Sequence, residues 1–223
     1  MNYKKKEKDL LLSLILGDGS IYKINTSYGI EIGHGEKQLD YLEWKINLLN
    51  NNHIFETPMV IHSKLIKLKQ YSNKTYLQYY SKKGCMDLKE IYNIYYSENN
   101  RMKTLLSNIH SDRSLGIWFM DDGSVFKRKK KHKDGSVYYL KPTLKLCTHC
   151  FSKEENLEII DWFKRRYLLE GKLVSETKKN KKYYYIRFNA LESFKIFKTI
   201  KKYIDEIESM RVKFGFFYEY YNM

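Results

Sequence analysis

The chain reads as an α+β protein built twice from one plan. Two observations predict this: a pair of similar segments about half the chain apart, and the same order of helical and strand-like patterns behind each. A third observation, the charge balance, bears on what the surface binds. The similar segments are Leu11-Leu12-Ser13-Leu14-Ile15-Leu16-Gly17-Asp18-Gly19-Ser20 and Leu115-Gly116-Ile117-Trp118-Phe119-Met120-Asp121-Asp122-Gly123-Ser124. Each is an apolar, helix-like run that ends in Asp-Gly-Ser, and the offset is 104 residues (122 − 18). A repeat of that size decides the architecture.

The elements behind each run follow in order. After Gly19 come two strand-like runs, 20–23 and 29–33, then a helix over 37–51 with Leu39, Leu42, Ile46 and Leu49 at helical spacing. Strands are expected over 59–69 and 75–81, and a helix over 86–96. After Gly123 the expected strands are 124–129 and 137–147. A helix over 153–168 opens with Ser152 and Glu155 spaced as a capping box. Strands 172–178 and 183–188 and a helix 191–203 complete the second copy. Each half is therefore helix–strand–strand–helix–strand–strand–helix, with halves 1–100 and 101–223 and the join between about 98 and 111. The apolar motif helices belong in the interior, because a helix hydrophobic on all sides is buried. Packed on each other, with Ser13 and Gly17 on one and Gly116 on the other as small-residue contacts, they would bring Asp18 and Asp122 together.

The 223 residues hold 41 Lys and Arg against 26 Asp and Glu, a formal charge of +15. That surplus favours a polyanionic partner and nucleic acid above all. Hydrophobic residues make up 43%, enough for a core. The 21 tyrosines suit a surface that packs and hydrogen-bonds at once, and equally suit the codon bias of an AT-rich genome. Cys85, Cys147 and Cys150 form no disulfide framework, so a reducing intracellular compartment is expected, either the organelle of a eukaryote or a bacterial or phage cytoplasm. No window approaches the roughly 20 apolar residues of a membrane span.

An Asp at a helix C-terminus opposes the helix dipole, and two converging on one another repel. A divalent cation would relieve both costs, and paired carboxylates with backbone carbonyls make a hard oxygen site suited to Mg²⁺. Metal ions there could activate water and stabilise the leaving oxygen of a phosphodiester. Cys147, His149 and Cys150 fall short of a zinc site, which needs about four ligands, and no Walker or dinucleotide-binding glycine pattern occurs.

The two segments resemble the LAGLIDADG motif that names a family of homing endonucleases, and Trp118-Phe119-Met120-Asp121-Asp122-Gly123 is similar to its single-chain, two-motif members. The resemblance implies a pseudo-twofold αββαββα repeat in a monomer, with two antiparallel sheets forming a saddle over double-stranded DNA. It implies metal ligands Asp18 and Asp122, supplemented by the carbonyls of Gly17 and Asp121, with Mg²⁺ as the ion and Mn²⁺ or Ca²⁺ able to take its place. It also implies a double-strand break with short 3′ overhangs. By matched position, Lys103 and Lys213 take the role of basic residues that stabilise phosphate charge or polarise water. The sequence departs from the family at bulky Met120 and Asp121. It departs again where a polar, water-positioning residue often ends the second strand; the nearest residues are Gly33-His34 and Cys147-Thr148-His149.

Topology places the DNA contacts in the strand-connecting loops: Lys64, Lys67, Lys69 and Lys74, then Lys127, Arg128, Lys129, Lys130 and Lys131, then Lys178, Lys179, Lys181 and Lys182. The strand residues Tyr22, Lys23, Lys145, Tyr185 and Arg187 are candidates for the groove face. An RNA-binding maturase of the same fold, with intron RNA as partner, is the alternative; it could lose the motif carboxylates, which this chain keeps. A non-cleaving DNA-binding regulator would have no use for the pair. An intein origin is not expected, since Met1 opens the chain and Asn222-Met223 closes it without a splicing nucleophile.

Overall fold

The computed structural model describes residues 3–52, 61, 66–68, 71–80, 86–96 and 101–222, without the side chains of 3, 4, 24, 27, 66–68, 71–80, 86, 87, 101 and 103. The first half runs α1 (Tyr3–Leu16), β1 (Gly19–Ile24), β2 (Ser27–Gly35), one 3-10 turn (Glu36–Gln38), α2 (Leu39–Asn51), β3 (Ile66–Leu68), β4 (Tyr71–Tyr80) and α3 (Met86–Tyr95). The second runs α4 (Arg101–Ser107), α5 (Asp112–Asp122), β5 (Gly123–Phe126), β6 (Lys129–Lys131), β7 (Val137–Tyr139), β8 (Thr143–Leu146), α6 (Lys153–Tyr167), β9 (Gly171–Lys178), β10 (Lys181–Phe188), α7 (Ala190–Ile204), α8 (Glu208–Lys213) and α9 (Gly215–Tyr221).

Two antiparallel four-stranded sheets have the orders β1-β2-β4-β3 and β5-β8-β10-β9. Strand for strand these are one topology, so the sequence repeat is also a structural repeat. The register makes the equivalence residue-specific. Gly19 pairs with Ile32 in the first sheet and Gly123 with Leu146 in the second. Two residues on, His34 and Thr148 therefore hold corresponding places.

The motif helices α1 and α5 form the centre. Leu11, Leu12 and Leu14 on one, and Leu115 through Met120 except Gly116 on the other, are buried apolar residues that lie in one continuous core. Asp9 of α1 ties the start of α5: its carboxylate accepts from the His110 amide at 2.6 Å and the Ser111 hydroxyl at 2.6 Å. Ser111 in turn caps α5 by accepting the Ser114 amide at 3.1 Å. The capping box of α6 is present, with Ser152 and Glu155 bonded reciprocally at 2.8 and 3.1 Å.

Several expectations need correction. Gly116 does not face α1; a side chain there would meet Tyr203 and Ile200 of α7. The small-residue approach belongs to Gly17, whose Cα lies against Asp121. The expected strand 137–147 breaks into β7 and β8, because Pro142 lies between them and has no amide for the ladder. The strand expected over 124–129 stops at Phe126, and Lys129–Lys131 pairs with β7 as a separate hairpin. Gly135 turns that hairpin at φ +88°. Helix α6 ends at Tyr167 because Leu168 adopts a left-handed conformation (φ 53°). Leu39, placed on the apolar stripe of α2, is exposed. The join carries α4, and the chain closes with α8 and α9; neither shows a long apolar period. Most of the strand expected over 59–69 lies outside the described residues, as do Lys64 and Lys69.

Candidate active site

Asp18 follows the end of α1 and Asp122 ends α5, each next to the glycine that opens an edge strand. The turn after α5 is fixed by the Gly123 amide donating to the Phe119 carbonyl and by the Cys147 amide donating to the Asp122 carbonyl at 2.9 Å. The Asp18 side chain is 44% exposed. Burial pushes the Asp122 carboxyl up to about 7, and the negative charges of Asp121 and Asp18 push the same way, with Lys213 opposing. Asp18 and Asp122 therefore lie within electrostatic reach of each other, as the motif spacing requires.

Lys213 reaches this place from α8. Its Nζ donates to the carbonyls of Met120 at 2.5 Å and Asp121 at 2.9 Å, capping the C-terminal end of α5 with positive charge. Burial lowers its pKa while Asp121, Asp18 and Asp122 raise it. The Asp121 carbonyl, a ligand candidate, thus already accepts one hydrogen bond. Lys103 lies in α4 and its side chain is outside the described atoms. The Gly17 carbonyl sits one residue before Asp18.

The Asp121 side chain points the other way, into the interface between the halves. Its Oδ1 accepts from Lys45 Nζ of α2 at 2.6 Å, and both side chains are 0% exposed. Its Oδ2 accepts from the Asp18 amide at 3.1 Å. Lys45 Nζ also lies 2.9 Å from His34 Nε2 and 4.3 Å above the Tyr41 ring. An ammonium only donates, so Nε2 accepts and the imidazole proton is on Nδ1, which faces Asp18 Oδ2 at 3.6 Å. Burial and then the Lys45 charge hold the His34 pKa down, to about 4. Asp18, His34 and Asp121 have the donor atoms of a metal cluster, but the Lys45 ammonium already supplies a cation against His34 and Asp121.

Sequence reasoning missed Lys45 and the Asp121 carboxylate, and left His34 undecided. A signal was present: Lys45 is three residues from Leu42 and four from Leu49, on the apolar stripe of α2, where a charge survives only with a partner. Asp121 breaks an apolar helix in the same way.

The second sheet presents a basic row. Register places Ser124, Lys145, Arg187 and Lys172 across β5, β8, β10 and β9. The adjacent parity, Leu144, Leu146, Ile186 and Phe188, is buried in the core, so this row faces away from it. Lys145 Nζ lies 3.9 Å from the Tyr185 ring centre on the same face, and Arg187 lies over Phe126 at 5.6 Å. In the first sheet Tyr22 lies over Gly29. Lys23, one residue on and so of opposite parity, is exposed near the strand end. Lys67 lies in β3, and Lys74 pairs with Gly35 and Ile66.

Lys178 and Lys179 lead into the β9–β10 turn, where Lys179 and Asn180 both have positive φ, and Lys181 and Lys182 leave it. Lys178 is bonded to Glu176 at 2.8 Å. Arg128 and Lys129–Lys131 are exposed on the extra hairpin. Lys127 is held in place beside it: it pairs with Glu219 of α9 at 3.1 Å and lies against Tyr139 and Phe216.

Replacing Arg128 and Lys129–Lys133 with Ser, with Lys127 kept as the dock, is expected to weaken DNA binding. The plot of log affinity against log salt should flatten by roughly 0.9 for each phosphate that the hairpin no longer neutralises. An unchanged slope would place the hairpin off the DNA. His149 faces Glu176 at 2.9 Å, and neither Cys147 nor Cys150 is in a disulfide.

A duplicated α+β body with a crowded carboxylate pair where its two halves meet, and with a basic row on one sheet and basic loops, defines a class of protein that receives a polyanion at a cation-binding acidic centre. The chain belongs to the LAGLIDADG DNA endonuclease family, whose model matches residues 8–197. Its fold is similar to that of the homing endonuclease I-WcaI bound to its DNA recognition sequence (TM-score 0.67, 24% identity, 96% of this chain and 87% of that one). I-DmoI in complex with DNA and Mn has the same fold (TM-score 0.52, 14% identity, 89% and 97%). Among curated proteins, the chain is 25% identical over 179 residues to protein RecA of Mycolicibacterium flavescens, covering 77% of this chain and 38% of the relative. A RecA of Mycobacterium gastri is 26% identical over 179 residues, covering 74% and 37%. The chain thus spans well under half the length of these curated relatives. Among the described residues no helix is long and apolar enough to cross a membrane.

Proposed function

We propose that the protein is a metal-dependent endonuclease that makes a site-specific double-strand break in a long, asymmetric DNA target, leaving short 3′ overhangs. It acts as a monomer, its internal repeat supplying the two centres that two strands require. The observation that carries this reading is the carboxylate pair itself: Asp18 and Asp122 stand at the ends of equivalent helices, and burial first, then the charges of Asp121 and Asp18, push the Asp122 carboxyl up to about 7.

The residues fit a divalent ion. Asp18 and Asp122 offer hard anionic oxygens, the carbonyls of Gly17 and Asp121 offer neutral ones, and the crowding of negative charge favours a cation between them. Mg²⁺ is the proposed ion, with Mn²⁺ and Ca²⁺ fitting the same donors. When bound, such an ion would supply a polarised water and charge relief on the leaving oxygen. The chain's own groups do the rest. The basic row of Lys145, Arg187 and Lys172 and the basic loops hold phosphates and fix the duplex in register. Lys213 places positive charge beside the reacting phosphate, and Lys103 is proposed for the corresponding task in the other centre.

The pH dependence of ion binding tests this. Asp122 must lose its proton to bind a cation, so apparent affinity should fall about tenfold per pH unit below 7 and level off above it. Calorimetric titration with Mn²⁺ at pH 6, 7 and 8, in buffers of different ionisation heat, should report the release of about one proton at the lowest pH. Affinity independent of pH would count against Asp122 as a ligand.

A further inference from the structure

We infer that Lys45, Asp121 and His34 form a positioning ring around Asp18 that the Asp122 centre lacks, so that the two DNA strands are served by unequal centres. The inference rests on the endonuclease reading. Three of its links are hydrogen bonds and the fourth is a longer polar contact. The Asp18 amide donates to Asp121 Oδ2 at 3.1 Å, and Lys45 donates to Asp121 Oδ1 at 2.6 Å. Lys45 also donates to His34 Nε2 at 2.9 Å, and His34, whose ring is hydrogen-bonded to the Gln38 side chain, turns Nδ1 toward Asp18 Oδ2 at 3.6 Å, a polar contact longer than a hydrogen bond. The backbone of Asp18 is thereby hydrogen-bonded to the partner of one buried ammonium, and its side chain faces the imidazole that the same ammonium orients. That ammonium comes from α2 of the first half and its carboxylate partner from α5 of the second.

The second centre is built differently at each corresponding position. Where α5 has Asp121, α1 has Gly17, which has no side chain to reach back to the Asp122 turn. Gly17 is itself a condition of the ring, because a Cβ there would lie 2.6 Å from the Asp121 Cβ and on its carboxylate oxygen. His34 corresponds in register to Thr148, whose hydroxyl is turned to the Asn156 side chain of α6. The buried residues of α6 are Asn156, Ile159, Trp162 and Phe163, with no lysine among them. Instead, Lys213 holds the α5 end from outside, through the carbonyls of Met120 and Asp121. A carboxylate whose own amide is fixed and whose oxygen faces an oriented imidazole loses less freedom when it takes a cation, and such supporting groups typically govern 10–100-fold in metal affinity or rate.

Two variants break the ring from opposite sides: Lys45→Met removes its cation, and Gly17→Ala displaces its carboxylate. On a plasmid carrying a target selected from randomised DNA, with Mg²⁺, cleavage of each strand is timed separately. Both variants should shift the ratio of the two strand rates by about tenfold, in the same direction, while duplex binding in Ca²⁺ stays within about threefold. A role in folding alone would slow both strands together. An unchanged ratio, or shifts of opposite sign, overturns the inference.

Should Lys45→Met fail to fold, Lys45→Met combined with Asp121→Asn removes both buried charges and keeps an acceptor for the Asp18 amide. It should shift the ratio less than Gly17→Ala does. Hydrogen exchange of the free protein gives a reading without DNA: the Asp18 amide should exchange at least about tenfold faster in Gly17→Ala. Unchanged exchange removes the ring, whereas a wild-type protein that cuts no selected DNA removes the endonuclease reading instead.

Discussion

Replacing either Asp18 or Asp122 with Asn is expected to lower DNA cleavage by at least about a thousandfold, equivalent to roughly 4 kcal/mol of transition-state stabilisation. Binding of the same DNA should stay within about threefold. The asymmetry follows from where the two properties reside. In the proposed reading, affinity resides in the basic loops and in the Lys145, Arg187 and Lys172 row on the sheet, which neither substitution touches. An amide has the shape of the carboxylate and lacks the charge that holds a cation. Folding provides an internal control. Burial raises the Asp122 pKa to about 7, above its unfolded value, so the ionised form is destabilising and stability falls as pH rises from the unfolded value through 7. Asp122→Asn should therefore leave thermal stability at pH 8 unchanged or higher. Lost cleavage with an intact melting temperature isolates the chemistry from the fold; lost cleavage with lost stability would point to a structural role.

Lys45→Met is expected to destabilise the protein by about 3–5 kcal/mol, because it leaves the Asp121 carboxylate buried without its partner. Adding Asp121→Asn should recover most of that loss, since the pair is then neutral and the Asp18 amide keeps an acceptor. The double variant would be more stable than the sum of the single effects by at least about 2 kcal/mol, measured by urea unfolding. Additive effects would mean that the 2.6 Å approach of Lys45 to Asp121 contributes nothing as an ion pair. The stability result and the strand-ratio result are independent, because the first reads the pair and the second reads what the pair holds in place.

The repeat made much of this legible in the sequence. The offset of 104 residues and the matched strand order led to two sheets of one topology, and the Asp-Gly ends led to the carboxylate pair. Elements with a clear period were placed within a few residues, α2 and α6 among them. What escaped was decided by tertiary contact. The β7–β8 break depends on Pro142 interrupting a run of good strand formers. The α4, α8 and α9 helices are too short to show a period. Asp121 looked like a departure from the motif because its partner, Lys45, is 76 residues away on another helix. Gly17 and Gly116 both looked like helix-contact residues, and only the packing shows that one meets Asp121 and the other Tyr203. Strand parity relates Tyr185 to Arg187, but the register was needed to set Lys145 beside them and the burial of Leu144 and Leu146 to say which face they share.

The central claim is that the Asp18 and Asp122 pair cuts DNA at a defined sequence. The most direct measurement is to incubate the protein with a randomised duplex library and Mg²⁺, beside the Asp18→Asn/Asp122→Asn protein, and to sequence the cut ends. One recurring target, cleaved on both strands with a short 3′ stagger and absent from the double-variant reaction, is the predicted result. Ends scattered without a shared sequence, or the same ends produced by the double variant, would contradict it.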